Sequence, residues 1–357
     1  MNLGVNSKLI RSMLYKSNGK FLLTGEYLVL KGATALALPL KKGQSLEAET
    51  LDSNDNLIYW DAFYKSTDNG QQTTDIVHDL VQSSEFRVQS SEFRVQSSEF
   101  NSHSHWFSAV LDKNDFSIRS TDDKEKAERL SDILSKAKAL NGNIFTDAHD
   151  YKFSTHLDFN PQWGLGSSST LINNIAEWAE INPYKLLDST FKGSGYDIAC
   201  AKSNHPIFFK IIADNPQAIS QNIEAANFDP IFKDNLYFVY HGYKQNTARE
   251  IKAFLSKEKK YTDEIKSISE ISRILPEVQT LRDFCYFIKV HEEITAACLE
   301  QKRLKKYFND FEGEVKSLGA WGGDFFLVAT EWDEKKVKKY FDSKDLNIVF
   351  RYQDIVL

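Results

Sequence analysis

The sequence predicts an α+β protein built in packed layers, on three observations. Strand-like apolar runs alternate with segments of helical spacing along the whole chain, so neither type keeps to its own half. A length of 357 residues, 41% hydrophobic and 13% aromatic, is ordinary for a soluble globular chain. On a prior of roughly 150 residues per domain, that length leaves room for two cores. The stretch DNPQAISQNIEAANFD, within 214–235, is polar and poorly periodic, so the expected division is a first domain over 13–225 and a second over 226–357.

Residues 1–12 precede the first patterned segment and Met13, one of only two methionines, so they read as a disordered extension or a misplaced start. KFLLTGEYLVLKGATALALPL (20–40) reads as two buried strands, the first interrupted by Thr24-Gly25-Glu26, with the turn at Lys31-Gly32-Ala33. SLEAET (45–50), NLIYW (56–60) and HWFSAVL (105–111) continue in strand fashion. Between the last two, an insertion at about 65–104 carries VQSSEFR in tandem over 81–100. Val81 and Phe86 fall about 140° apart on a helix and on opposite faces of a strand, so the repeat serves neither period. It reads as an expansion lodged in a loop, where added length costs little closure entropy.

TDDKEKAERLSDILSKAKALNG (121–142) has helical spacing between a Thr-Asp-Asp start and an Asn-Gly stop. A second helix is expected over Leu171–Glu180 and a third at PYKLLDST, with Pro183 in its first turn. Strands follow at 205–212 and 235–243, then a helix from about Thr247 to Phe254 and helices over 261–270, 277–299 and 300–309. The strands GEVKSL and FFLVATE, a helix at 332–342 and the strand NIVFRY complete the chain.

A net charge of −6 argues against nucleic acid as a partner, since phosphate binding wants a basic surface. Three cysteines, Cys200, Cys285 and Cys298, without CxxC spacing, suit a reducing cytosol and core filling. No apolar run has the length of a signal peptide or a membrane span. The eight histidines form no HExxH pattern, and His103 and His105 beside the repeat read as surface.

PQWGLGSSSTLINNIAEW (161–178) places two glycines and four hydroxyl side chains at the head of the second helix. One Ser or Thr is enough for an N-cap, and Gly costs backbone entropy, so the excess suits amides brought close to an anion. A helix start presents free N–H groups and positive dipole, and hydroxyls offer neutral oxygens to Mg²⁺. Taken alone, a flexible Ser-rich turn explains the segment equally well, and it is not GxxxxGK[ST].

Three further segments accompany it. SNGKFLLTGEYLVLKG carries Lys20, KGSGYDIACA places Asp197 two residues after a Gly-Ser-Gly turn, and KSLGAWGGDFFLVA has a Gly-rich turn at 319–323 before a strand. In order and type, the four resemble the signature of the GHMP kinases (galacto-, homoserine, mevalonate and phosphomevalonate kinases). GKxLLxGEYxVLxG and LGAWGGD look closest to phosphomevalonate kinases, and GSGYDIA is similar to the label of the bacterial GYDIA-type subfamily. HGYKQNTAREI (241–251) is similar to the GK-x-x-T segment of mevalonate and phosphomevalonate kinases. The resemblance runs from about Met13 to the C-terminus, the repeat excepted. It implies an N-terminal domain like the second domain of ribosomal protein S5 and a ferredoxin-like C-terminal domain, with ATP and acceptor between them. It also implies transfer of the ATP γ-phosphoryl group to a small molecule, which relies on positioning and charge neutralisation.

The resemblance implies roles for single residues. The backbone of Gly164, Leu165, Gly166, Ser167, Ser168 and Ser169 would cradle the ATP phosphates, and Ser168 would touch Mg²⁺. Asp197 would orient or deprotonate the acceptor. Lys20 would hold Asp197 ionised and offset charge on the moving phosphoryl group. Aspartate is a weak base toward an alcohol, so proximity and electrostatics must contribute much. Gly319, Ala320, Gly322 and Gly323 would line the cleft, with Thr247 and Lys244 near substrate or phosphate. Asp324 is open between local capping and function. Glu26, an acid in a buried-looking strand, reads as structural support, because a buried charge is costly unless paired.

The sequence also departs from the family. Mevalonate kinases have a longer passage between serine and aspartate, which supplies a glutamate to Mg²⁺; here 28 residues separate Ser168 from Asp197, and Asp188 is the nearest carboxylate. Substrate-binding arginines cannot be assigned. The expectation is a cytoplasmic, ATP- and Mg²⁺-dependent kinase of a small anionic acceptor, first mevalonate or phosphomevalonate in isoprenoid biosynthesis. A sugar or homoserine kinase of the same fold stays open, as does a catalytically silent ATP-binding regulatory protein, against which the retained Lys20 and Asp197 weigh. A homodimer is compatible with each.

Overall fold

The computed structural model describes residues 9–66, 103–191, 193–215, 218–242, 247–257, 259–319, 321 and 323–357. The repeat at 81–100, Lys244, Ala320 and Gly322 lie outside the described residues. Strand β1 (Leu9–Leu22) pairs antiparallel with β2 (Ala35–Leu51), from Leu9↔Leu51 to Leu22↔Ala37. Residues 9–12, expected to fray, are therefore laddered to β2. After Leu22 the chain leaves the sheet and crosses to a 3-10 turn at Leu28–Lys31, closed by Gly32 at φ 94°. Glu26 thus sits in a buried crossover and not in a strand.

Next come β3 (Leu57–Lys65), β4 (His103–Asp112) and β5 (Ile118–Thr121). Helix α1 (Lys124–Leu140) is capped by Asp123, whose side chain accepts from the Lys126 amide. β6 (Asp150–Leu157) was not expected; it lies between β3, to which it is parallel, and β2. Its DYKFSTHL lacks strict alternation, which hides an inner strand from pattern reading.

Helix α2 (Ser167–Trp178) begins four residues earlier than expected, so the serines form its first turn instead of a loop before it. After α3 (Pro183–Ser189) and α4 (Tyr196–Lys202), β7 (Ile207–Asn215) and β8 (Ala218–Ala225) end the first sheet. β8 occupies part of the stretch read as an irregular boundary. It is an edge strand with exposed residues Ile223 to Ala225, where no buried face imposes alternation. The sheet order is β5-β4-β3-β6-β2-β7-β8, with β1 on β2. Leu130 and Leu134 of α1 and Ile172 and Ile175 of α2 pack with Leu46, Ile58, Trp60 and Phe153 from the sheet.

The second sheet begins with β9 (Leu236–Tyr240). Helices α5 (Thr247–Leu255), α6 (Thr262–Ile274) and α7 (Leu281–Leu299) follow. Then come β10 (Glu314–Ser317), β11 (Phe325–Ala329), α8 (Glu334–Asp342), β12 (Val349–Arg351) and the short α9 (Tyr352–Ile355). The antiparallel order β10-β11-β9-β12 is the ferredoxin-like split βαβ arrangement, with extra helices in its first crossover. The helix expected at 300–309 is only a 3-10 turn at Leu304–Tyr307, because Glu300 at φ 60° ends α7 in the left-handed region.

Period-two burial assigns the faces of this sheet. Tyr237, Val239, Phe326 and Val328 pack with Val337 and Phe341 of α8, whereas Phe238, Phe325 and Leu327 join Phe284 and Ile288 of α7. That second cluster also holds Phe21, Leu36 and Leu38, so one core spans both sheets; Phe21 stacks on Phe238 at 4.4 Å between ring centroids. The C-terminus returns to the first sheet, where the Leu357 amide donates to the Pro39 carbonyl at 3.1 Å. No helix among the described residues is long and apolar enough to cross a membrane.

Candidate active site

The start of α2 is held firmly from beneath. Thr170 donates to Gln44 Oε1 at 2.8 Å, Ser17 to Asn174 Oδ1 at 2.6 Å, Asn173 to Ser17 Oγ at 2.9 Å, and Asn174 to the Gln44 carbonyl at 3.0 Å. These buried side chains fasten the helix to β1 and β2. From above the start is open in the electrostatic sense. Gly166 occupies the N-cap at φ 101° with no side-chain cap, and no acidic residue stands in the first turn. The first amides therefore keep their N–H groups outside the helical ladder, at the positive end of its dipole.

Lys20 lies against this turn. Its amide donates to the Leu165 carbonyl at 3.0 Å and its Nζ to the Gly164 carbonyl at 2.9 Å. A Cβ at Gly166 would stand 3.3 Å from Lys20 Cγ, so the glycine admits the lysine stem. Asp197 arrives from the first turn of α4, behind the Gly195 N-cap at φ 87°. Its Oδ2 accepts from Ser169 Oγ at 3.2 Å, and its Oδ1 is buried without a hydrogen-bond partner among the described residues.

Lys20 and Asp197 are close but form no direct ion pair. The Lys20 Nζ instead stands 5.7 Å from the centroid of the Tyr196 ring, the residue preceding Asp197. Both charges are felt by Cys200: burial pushes its thiol far above the usual range, Asp197 adds to this and Lys20 opposes it. That thiol is inert as a nucleophile. Burial and the charge of Asp197 likewise keep the Tyr196 phenol protonated.

The second half reaches the same place. The Asp324 carboxylate covers Gly164 so closely that a Cβ there would fall 1.8 Å from Oδ2. Its carbonyl accepts from the His241 amide at 2.7 Å. Asp324 therefore packs against the Gly164 turn. Gly319, at φ 69°, borders open space, with nothing within 4 Å of where a Cβ would stand, and Gly323 is buried just before Asp324. Trp321 is buried: its amide donates to Tyr27 Oη at 3.0 Å and its indole to the Lys302 carbonyl at 3.2 Å. Thr247 opens α5.

Ser168 is exposed on the first turn of α2, whereas Ser169 is buried. Asp188 is exposed on α3, and no hydrogen bond or ion pair joins it to Ser168 or Asp197. Among the described residues no three His, Cys, Asp or Glu side chains converge as a metal site. A cavity of about 450 Å³ under Lys31, Lys257, Lys259 and Lys260 contains none of the residues picked out by the motifs. Two features escaped sequence reading: the bond from Ser169 to Asp197 and the closure of Asp324 over Gly164. Both join distant segments and leave no local pattern.

No family model matches the chain, and no curated protein matches it in sequence. Solved structures do. Mevalonate kinase from Methanococcus jannaschii superposes at a TM-score of 0.61 with 16% identity, over 95% of this chain and 97% of that one. Phosphomevalonate kinase from Streptococcus pneumoniae, solved with phosphomevalonate and AMPPNP, gives 0.61 and 12%, over 95% and 99%. D-glycero-D-manno-heptose 1-phosphate kinase from Bacteroides thetaiotaomicron gives 0.55 and 10%, over 97% and 96%. The class is thereby defined: the chain has the GHMP kinase fold over nearly its whole length. Within that class, its structural neighbours include mevalonate, phosphomevalonate and heptose-phosphate kinases.

Proposed function

We propose that the chain is an ATP- and Mg²⁺-dependent kinase of the GHMP type, with 13–225 and 226–357 as its two domains and mevalonate or phosphomevalonate as its first candidate acceptors. One observation carries this reading. An uncapped helix start, fitted with two left-handed glycines, stands beside an aspartate that is oriented by one oxygen and unpartnered at the other.

Each group then has a task. The amides from Gly164 to Ser169 take the β- and γ-phosphates, where dipole and N–H groups favour an anion. Lys20, fixed by the Gly164 carbonyl, adds a positive charge at the rim of the cradle. Ser169 holds Oδ2 of Asp197 and so orients the carboxylate that positions or deprotonates the acceptor's hydroxyl oxygen. As that oxygen bonds to the γ-phosphorus, the bond from phosphorus to the ADP oxygen breaks. Where the acceptor is a phosphate, no proton need move and Asp197 serves only to orient. Gly319, Gly323 and Thr247, with Ala320, Gly322 and Lys244, are assigned to the acceptor side of the cleft.

Ser168 fits a partly hydrated hard cation, being an exposed hydroxyl on a turn that carries no carboxylate. Mg²⁺ held there would neutralise phosphate oxygens, its remaining ligands being water and phosphate. Asp188 is a lesser candidate ligand.

The neighbours named for mevalonate and phosphomevalonate support an anionic acceptor, and the heptose 1-phosphate kinase keeps a sugar phosphate as a second reading. The test is ADP release from ATP across mevalonate, phosphomevalonate, homoserine, galactose and a heptose 1-phosphate. Acceptor-dependent turnover with one of the first two is expected. ATP binding without turnover on any of them would leave a silent nucleotide-binding protein.

A further inference from the structure

The crossover after β1 bonds to the other half at each of four consecutive residues. Thr24 Oγ1 lies 2.7 Å from Ser272 Oγ on α6. The Gly25 amide donates to His291 Nε2 on α7 at 3.0 Å. Glu26 pairs with Lys316 on β10, and Tyr27 Oη accepts from the Trp321 amide at 3.0 Å. Gly25, at φ 90°, cannot be replaced without collision, since its Cβ would fall 2.7 Å from that of Ala35. Tyr27 is held at φ 61°, a region non-glycine residues avoid, so surrounding bonds must enforce it.

The charges within this clamp are out of balance. Among the described residues, Lys316 is the one cation paired with two carboxylates: Glu26, which it contacts, and Glu292 on α7 at 3.9 Å. All three side chains are at most 2% exposed. Arg303, the next nearest cation, is occupied by Glu293 at 3.3 Å and Glu314 at 2.6 Å. His291 Nε2 accepts from Gly25, so its 3.3 Å approach to Glu26 is not an ion pair; burial keeps the ring neutral. Burial pushes the carboxyls of both Glu26 and Glu292 up, that of Glu292 to about 8, and one Glu292 oxygen accepts from the Ser317 amide at 3.2 Å.

A buried ion pair is a poor source of stability compared with apolar residues of the same volume. Its location points to a different use. Lys20 lies four residues before Thr24, and Asp324 three residues after Trp321, and both of these groups meet at Gly164. We propose that Glu26 and Lys316 are positioning residues: their buried pair locks the end of β10 and Trp321 against the segment bearing Lys20, and so sets the spacing between the phosphate cradle and the acceptor wall. The proposal rests on the kinase reading above for its catalytic consequence, but not for its structural one.

The test uses the full chain and three variants: Glu26→Gln, Glu292→Gln, and Glu26→Met combined with Lys316→Met. The double variant restores apolar packing, so it stays folded even if Glu26→Gln does not. For the double variant, kcat/KM for the acceptor should fall about tenfold or more, in the range expected when a supporting contact is lost, while ATP affinity stays within about threefold. Hydrogen exchange at the Ser317 and Trp321 amides should quicken by a similar factor. Glu292→Gln should match the wild type at pH 7 and retain activity above about pH 8, where the wild type declines. A double variant with wild-type kcat/KM and unchanged exchange would overturn the proposal. If the wild type phosphorylates no acceptor, the kinase reading fails by itself, and the exchange rates still decide whether the pair locks β10.

Discussion

At the scale of single residues, the site depends on positions where one atom more would collide. Gly164→Ala would drive a methyl group into the Asp324 carboxylate and put a side chain at φ 69°, so the turn that carries these amides must distort. ATP affinity should drop about tenfold or more in that variant, measured by equilibrium titration. Ser169→Ala frees Oδ2 of Asp197, so kcat should fall about tenfold with little change in ATP affinity, as befits a residue acting through another. Local motifs singled out Lys20, Asp197 and the glycines in the sequence, and the structure places Lys20 against Gly164 and Asp197 against Ser169. Asp324 was left open, since nothing nearby in the chain reveals that its carboxylate covers Gly164. Lys20 and Asp197 have separate anchors, the Gly164 carbonyl for the one and the Ser169 hydroxyl for the other.

At the scale of elements, α2 is fixed by a buried polar network that joins it to β1 and β2. Asn174→Ala would leave the Ser17 hydroxyl proton without its acceptor and the Gln44 carbonyl without this donor in a buried interface. It should lower stability by roughly 1–3 kcal/mol, read from the denaturant midpoint at constant slope. Most helices and strands with a one-sided apolar face were legible: α1 from its caps, β9 and β11 from continuous apolar runs. Elements without such a face were not. β6 mixes Lys, Ser and His into an inner strand, and β8 lies at an exposed edge, so neither shows a period. The beginning of α2 was misplaced because its serines favour caps when alone, whereas here the helix runs through them.

At the scale of the whole molecule, a continuous core and the Thr24–Tyr27 clamp join the two sheets, and the clamp carries a titration. The ordinary carboxyl value of 4.5 applies to Glu292 when unfolded, against about 8 when folded. The unfolded chain therefore binds fewer protons between those values, and stability must decline as pH rises across them, on the order of 1 kcal/mol per unit for this group. Thermal melts from pH 5 to 8 should show Glu292→Gln losing less stability than the wild type; equal slopes would mean that Glu292 is already ionised. None of this could be read from the sequence, which marks Glu26 as costly but cannot say that Lys316, almost three hundred residues away, meets it.

The most direct measurement is phosphoryl transfer by Asp197→Asn, taken together with its ATP affinity. The helix start and Lys20 are untouched, so ATP should bind within about threefold of the wild type, while turnover falls about 10²–10⁴-fold for want of a proton acceptor. Wild-type turnover in that variant would contradict the assignment of Asp197, and loss of ATP binding alongside intact folding would contradict the separation of cradle from catalyst.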